Sequence, residues 1–157
     1  MTGPQTPSWH ARLAELGIRL PPVAAPVAAY VPAVRSGQLV HTSGQLPFVD
    51  GGLRRTGKVG GSVDVEAAAA DAKVCALNGL AAIDELVGLD EVARVVRVVG
   101  YVASAEGFTS QPRVVNGASE LLARIFGAAG EHARSAIGVA ELPLGAPVAV
   151  ELTVELR

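Results

Sequence analysis

The sequence predicts one α+β domain, with two helices packed on one face of a mixed β-sheet. Three observations lead there. Apolar periodicity changes along the chain in the order strands, helix, strand, helix, strands. Residues 92–99 form a near-continuous β-branched run, Val92-Ala93-Arg94-Val95-Val96-Arg97-Val98-Val99, the pattern of a central strand buried on both faces. And 157 residues with a hydrophobic fraction of 50% suffice for one real core.

Taken in order, Ser8 is an N-cap for a short helix that carries Trp9, Leu13 and Leu16 at helical spacing and stops at Gly17. Pro21-Pro22 ends this segment, and residues 23–29 read as an extended Ala/Pro linker. Residues 1–22 are therefore an N-terminal extension, too short for a core of its own, and residues 23–157 form the single domain. Residues 31–34 and 38–43 read as strands around an Arg35-Ser36-Gly37 turn, and Asp50-Gly51-Gly52 is a hairpin signal. Residues 63–86 are the longest helix, capped by Ser62 or Asp64 and stopped at Gly88. Ser110 caps a second long helix, with Pro112 in its first turn, apolar Val114, Val115, Leu121, Leu122 and Ile125, and a stop at Gly127.

The C-terminal quarter reads as two strands joined by a short Pro/Gly turn. Alternation puts Arg134, Ala136, Gly138 and Ala140 on one face of the first strand and Ser135, Ile137 and Val139 on the other. In the second strand Val148, Val150, Leu152, Val154 and Leu156 point one way, and Ala149, Glu151, Thr153 and Glu155 the other. An arginine among such small neighbours has room to meet a small anion. An Arg and a Glu on adjacent strands could flank one cavity, one binding a carboxylate and the other handling a proton. The alternative is that Arg134 and Glu155 are surface charges on an amphipathic hairpin.

Net charge is -2 and pI about 5.9, which gives no electrostatic footprint for nucleic acid or an anionic membrane. Arg54, Arg55 and Lys58 make the only dense basic cluster, and they read as a solvated loop. Gly52-Leu53-Arg54-Arg55-Thr56-Gly57-Lys58-Val59 nearly spells a phosphate-binding loop. However, Val59 stands where the magnesium-binding hydroxyl belongs, and a hairpin precedes the segment. The histidines are scattered and Cys75 is the only cysteine, so the sequence predicts neither a metal site nor an intrachain disulfide. Cys75 reads as a buried, inert thiol. No apolar run is long enough to span a bilayer. Residues 1–7 read as disordered and lack a signal-peptide pattern, so the cytoplasm is the expected compartment. Thr42-Ser43-Gly44-Gln45 is not a nucleophile elbow, and Gly44 within a strand marks either close approach of a ligand or a bulge.

Tyr30, Thr42-Ser43-Gly44-Gln45-Leu46-Pro47, Asn116, Ala133-Arg134-Ser135, Leu142-Pro143 and Glu151 together resemble the RidA-like (YjgF, reactive intermediate deaminase) family, from about Tyr30 to the C-terminus. The resemblance implies a chorismate-mutase-like fold that assembles as a homotrimer around a closed β-barrel-like core, with ligand sites in the clefts between subunits. It implies hydrolysis of enamines and imines of the 2-aminoacrylate/2-iminopropionate class to 2-keto acids and ammonia, with no metal or organic cofactor. Arg134 matches the arginine that binds the substrate carboxylate, and Glu151 the acid that positions or activates water. Tyr30, Ser43, Gly44, Asn116 and Ala136 match pocket positions. Many close relatives carry cysteine where this chain has Ala136. The start Thr109-Ser110-Gln111-Pro112 lengthens the second long helix by about one turn. Ala136 changes the shape of the pocket more than its chemistry, whereas the longer helix start and the 1–22 extension, absent from the shortest members, reshape the cleft and bear on the substrate rather than on the arginine. Some family members carry names as ribonucleases, an activity that the acidic pI argues against here. The rival reading is a non-enzymatic trimer that binds small carboxylates through the same arginine.

Overall fold

The computed structural model describes residues 5–26 and 28–157. The expected disorder over residues 1–7 falls mostly on residues 1–4, outside those described, and so does Val27 of the expected linker.

Helix α1 (Trp9–Glu15) begins where Ser8 accepts a hydrogen bond from the Ala11 amide. Strands β1 (Ala33–Ser36) and β2 (Leu39–Thr42) form the first hairpin. Strands β3 (Phe48–Val49) and β4 (Gly52–Leu53) form a second, small one. Its central residues Asp50 and Gly51 both take positive φ, 52° and 81°, the backbone of a type I′ turn. Helix α2 (Val65–Val87) starts at Asp64, whose carboxylate accepts from the Ala67 amide at 2.7 Å, and stops at Gly88. Strand β5 (Val92–Ala103) leads to helix α3 (Gln111–Phe126), and strands β6 (Ala133–Val139) and β7 (Val148–Leu156) complete the chain. At the start of α3, Ser110 occupies the cap position without a side-chain cap bond, and Pro112 sits in the first turn.

The large sheet has the order β1-β2-β7-β5-β6. All neighbours are antiparallel except β5 and β6, which are parallel because α3 carries the chain back between them. The last two strands are therefore not the hairpin that the sequence suggests. β6 takes one edge of β5 and β7 takes the other, and residues 140–147 cross over between them. A short Pro/Gly connection fixes the reach of the chain, not which side of β5 the next strand joins.

One face of this sheet is buried under the helices. Val148, Val150, Leu152, Val154 and Leu156 of β7 face α2, where they meet Leu80, Ile83 and Cys75 in a single core. Burial pushes the Cys75 thiol well up from its ordinary value, which keeps it protonated and inert. Where the two long helices cross, a Cβ on Gly117 would run into the backbone carbonyl of Ala69, so glycine sets their close approach. Helix α1 joins the same core through Trp9 and Leu13. The Trp9 indole N–H donates to the Val92 carbonyl at 2.8 Å, and its ring meets Phe126 edge-on at 4.9 Å. Three helices thus cover one sheet face. Among the described residues none is long and apolar enough to cross a membrane.

β5 is not buried on both faces throughout. Its pairing with β7 slips by one residue between Val92 and Arg94 and again between Val95 and Arg97. The two bulges put Val92, Val95 and Val98 on the helix side at a spacing of three, while Arg94 and Arg97 stay exposed. A run that looks continuously apolar is thereby sorted into a buried and a solvated side.

The basic cluster is also not a solvated loop. Arg54 and Arg55 both reach Oδ1 of Asp71 on α2, at 2.9 and 2.8 Å, and Asp71 is only 1% exposed. Arg55 also donates to the Ala67 carbonyl, and Lys58 pairs with Glu141 at 2.8 Å. These charges fasten the segment after β4 to α2 and to the β6–β7 connection. A buried carboxylate needs such partners to offset its desolvation.

Candidate functional site

Arg134 lies on β6 level with Val98, and Val98 is level with Leu152 of β7. All three therefore face the helices. The guanidinium spreads along the first turns of α3. One terminal nitrogen, Nη1, donates to Asn116 Oδ1 at 2.7 Å and to Ser119 Oγ at 3.2 Å, and the other, Nη2, to the Pro112 carbonyl at 3.4 Å. Positions 112, 116 and 119 recur at helical spacing, so one stripe of α3 supplies all three acceptors. Every one of them is uncharged. Among the described residues no ion pair includes Arg134, and its positive charge remains available to an anion.

Ala136 follows on the same face of β6, level with Gly100, and packs against the main core. Gly138 comes next, where a Cβ would press on Gln111 and Ser104. The small residues after Arg134 thus accommodate α3 rather than leave an empty cleft.

Glu151 is elsewhere. It is level with Val99 and Ser135, on the open face of the sheet. Arg134 and Glu151 are therefore neither on adjacent strands nor on one face within the chain, which corrects the single-cavity expectation. β5 separates them in the sheet, and the pleat turns them to opposite sides. Glu151 Oε1 accepts a hydrogen bond from the Tyr101 hydroxyl at 2.8 Å, a diagonal contact between β7 and β5. That bond raises the Tyr101 pKa from its ordinary value, with desolvation and the Glu151 charge adding to the effect. On the same face Arg97 donates to Ser135 Oγ at 2.8 Å.

The third group follows β2. The Ser43 hydroxyl donates to the Val31 carbonyl at 2.6 Å, and its amide donates to the Pro32 carbonyl at 2.8 Å. Gly44 lies just past the strand, not within it, and nothing approaches its α-carbon side. Pairing with β7 slips by one residue between His41–Thr153 and Gln45–Val150, so the extra residue around Gly44 is accommodated as a bulge. Gly44 and Tyr30, which is 44% exposed, share a small recess with Pro32 and Leu46.

The chain thus brings Asn116 and Ala136 to Arg134, gathers Tyr30, Ser43 and Gly44, and leaves Glu151 apart from both. Sequence reasoning missed Tyr101, Ser119 and His132, which is bonded to Ser119 at 2.9 Å. Ser119 was within reach, one helical step from Asn116. Tyr101 depends on strand register, which no local pattern carries.

The description "YjgF/chorismate mutase-like, putative endoribonuclease" matches residues 10–156. The chain belongs to the YjgF/chorismate-mutase-like family. The match begins within α1, well before Tyr30. Among relatives, Protein TCP17 of Trypanosoma cruzi is 47% identical over 149 residues, which cover 94% of this chain and 93% of that protein. The crystal structure of protein Atu1372 from Agrobacterium tumefaciens is 42% identical with a TM-score of 0.85, over 94% of this chain and 91% of that one. A "putative endoribonuclease" from Shewanella oneidensis MR-1 is 32% identical with a TM-score of 0.91, over 96% of this chain and 100% of that one. The YjgF-like fold is therefore shared along nearly the whole chain, α1 included.

Proposed function

We propose that this YjgF-like chain hydrolyses 2-imino acids, formed from enamines such as 2-aminoacrylate, to 2-keto acids and ammonia, in sites shared between the subunits of a homotrimer. The observation that carries this reading is the Arg134 guanidinium, oriented by Asn116, Ser119 and Pro112 and paired with no carboxylate among the described residues. A fixed planar cation holds the substrate carboxylate and favours the electron-poor imine over the enamine. Water then adds to the C=N carbon. The resulting carbinolamine loses ammonia and leaves the keto group. Glu151 is the group assigned to orient that water and carry its proton. The reaction is fast without a catalyst, so orientation and one proton transfer suffice.

Because Arg134 and Glu151 point to opposite sides of one sheet, a site using both draws them from two copies of the chain. β6 is an edge strand, and on the open sheet face it carries Ile137, level with Tyr101 and 43% exposed, near half-buried Glu151. These features support assembly through that face. An RNA substrate is disfavoured. Net charge is -2, and Arg54, Arg55 and Lys58 are occupied by Asp71 and Glu141.

One observation favours a binding module without turnover: Glu151 already accepts the Tyr101 hydroxyl. The test is ammonia release from enzymatically generated 2-iminopropionate, beside Arg134→Ala and Glu151→Gln. Acceleration lost in both variants supports the hydrolase. Pyruvate binding through Arg134 with no acceleration in the unmodified protein supports the module.

A further inference from the structure

The contacts behind Arg134 form a chain with a definite direction. His132 Nδ1 lies 2.6 Å from the Gly130 carbonyl, which can only accept, so in the neutral ring Nδ1 carries the proton. Nε2 is then a lone pair, and at 2.9 Å it takes the Ser119 hydroxyl proton. With that proton committed, Ser119 Oγ turns a lone pair toward Arg134 Nη1 at 3.2 Å, whose other hydrogen goes to Asn116. Both Nη1 hydrogens are consumed. One Nη2 hydrogen goes to Pro112, and among the described residues nothing accepts from Nε–H or from the second Nη2 hydrogen, the edge that a ligand can meet.

We propose that Ser119 and His132 are positioning residues that lock the Arg134 guanidinium, so that a substrate carboxylate is bound side-on through Nε and Nη2. This rests on the reading of Arg134 as the carboxylate anchor. The side-on mode fixes where the imine carbon stands relative to the water. Loosening the lock therefore lowers kcat as well as raising KM.

The test has an activity arm and a spectroscopic arm, both on the intact protein. Long-range proton–nitrogen NMR in mildly alkaline solution is expected to show His132 as the Nδ1–H tautomer. Arginine side-chain spectra are expected to show slowed rotation of the Arg134 guanidinium, lost in Ser119→Ala and in His132→Phe. Pyruvate affinity and kcat/KM are expected to fall about tenfold in both variants and to recover in Ser119→Thr, which restores the hydroxyl. An Nε2–H tautomer, or a guanidinium equally free with and without Ser119, overturns the lock whatever the activity. If Arg134→Ala abolishes pyruvate binding while Ser119→Ala changes nothing, the lock fails and the anchor stands. If Arg134→Ala leaves binding and turnover intact, the anchor itself fails, and with it the side-on mode.

Discussion

Arg134 and Glu151 face away from each other across one sheet: Arg134 is level with Val98 on the helix side, and Glu151 is level with Val99 on the open side. No side-chain rearrangement within one chain brings them together, because the pleat fixes their directions. If one reaction needs both, two chains supply them.

That relationship makes subunit mixing the most telling experiment. Arg134→Ala and Glu151→Gln are each expected to be inactive, yet trimers reassembled from equal amounts of the two should regain activity. With random assembly, about a quarter of the sites receive both intact residues. Imine hydrolysis measured before and after mixing checks this, and persistent inactivity of reassembled trimers counts against a shared site.

Tyr101 reports the state of Glu151. The hydrogen bond to Glu151 raises its pKa above the ordinary 10.0. The bond therefore stabilises the fold at neutral pH and below the unfolded-state value, and that stabilisation is lost as pH rises through the raised folded value. In an alkaline absorbance titration, Glu151→Gln should move a late phenol transition to lower pH, and Tyr101→Phe should abolish that transition.

The Asp71 clamp should dominate the stability of the segment after β4. Asp71→Ala leaves two half-exposed guanidiniums without their partner and is expected to cost about 2–3 kcal/mol in denaturant unfolding. Arg54→Ala alone should cost under about 1 kcal/mol, because Arg55 still holds the carboxylate.

Helix α1 should undock first in acid. Desolvation works to raise the Asp90 pKa, but hydrogen bonds from the His10 and Trp9 amides outweigh it and bring the value below the ordinary aspartate range. The depressed value means stabilisation that is full above the unfolded-state value and lost as pH falls through the folded one, below about pH 4. Trp9 is the only tryptophan. Its fluorescence should shift in that window before the far-ultraviolet signal of the sheet collapses, and Asp90→Asn should remove the dependence.

The elements of the fold were legible because their signals are local. Asp64 caps α2 through its own side chain, and Asp50-Gly51 supply the positive φ that a tight hairpin requires. What was not legible depends on partners distant in sequence. Nothing near Arg134 says that β5 intervenes before β7, and nothing near Val96 announces the bulge that re-sorts the valines. Arg54 and Arg55 look solvated until α2 brings Asp71 beneath them. At the site, residue types were readable, but faces were not. A one-strand insertion leaves every local alternation intact while changing which side chains meet.

Arg157 donates to the Asp90 carbonyl at 2.8 Å and to the Pro7 carbonyl at 3.1 Å, and its guanidinium lies over the Trp9 ring. Residues 7 and 157 are thus neighbours in space, and the backbone traces nearly a closed loop. The covalent order of the elements can therefore be rewired. Opening the peptide at the Asp50–Gly51 turn and joining residue 157 to residue 7 through a short glycine linker is expected to keep every register of the five-stranded sheet while releasing the small β3–β4 hairpin.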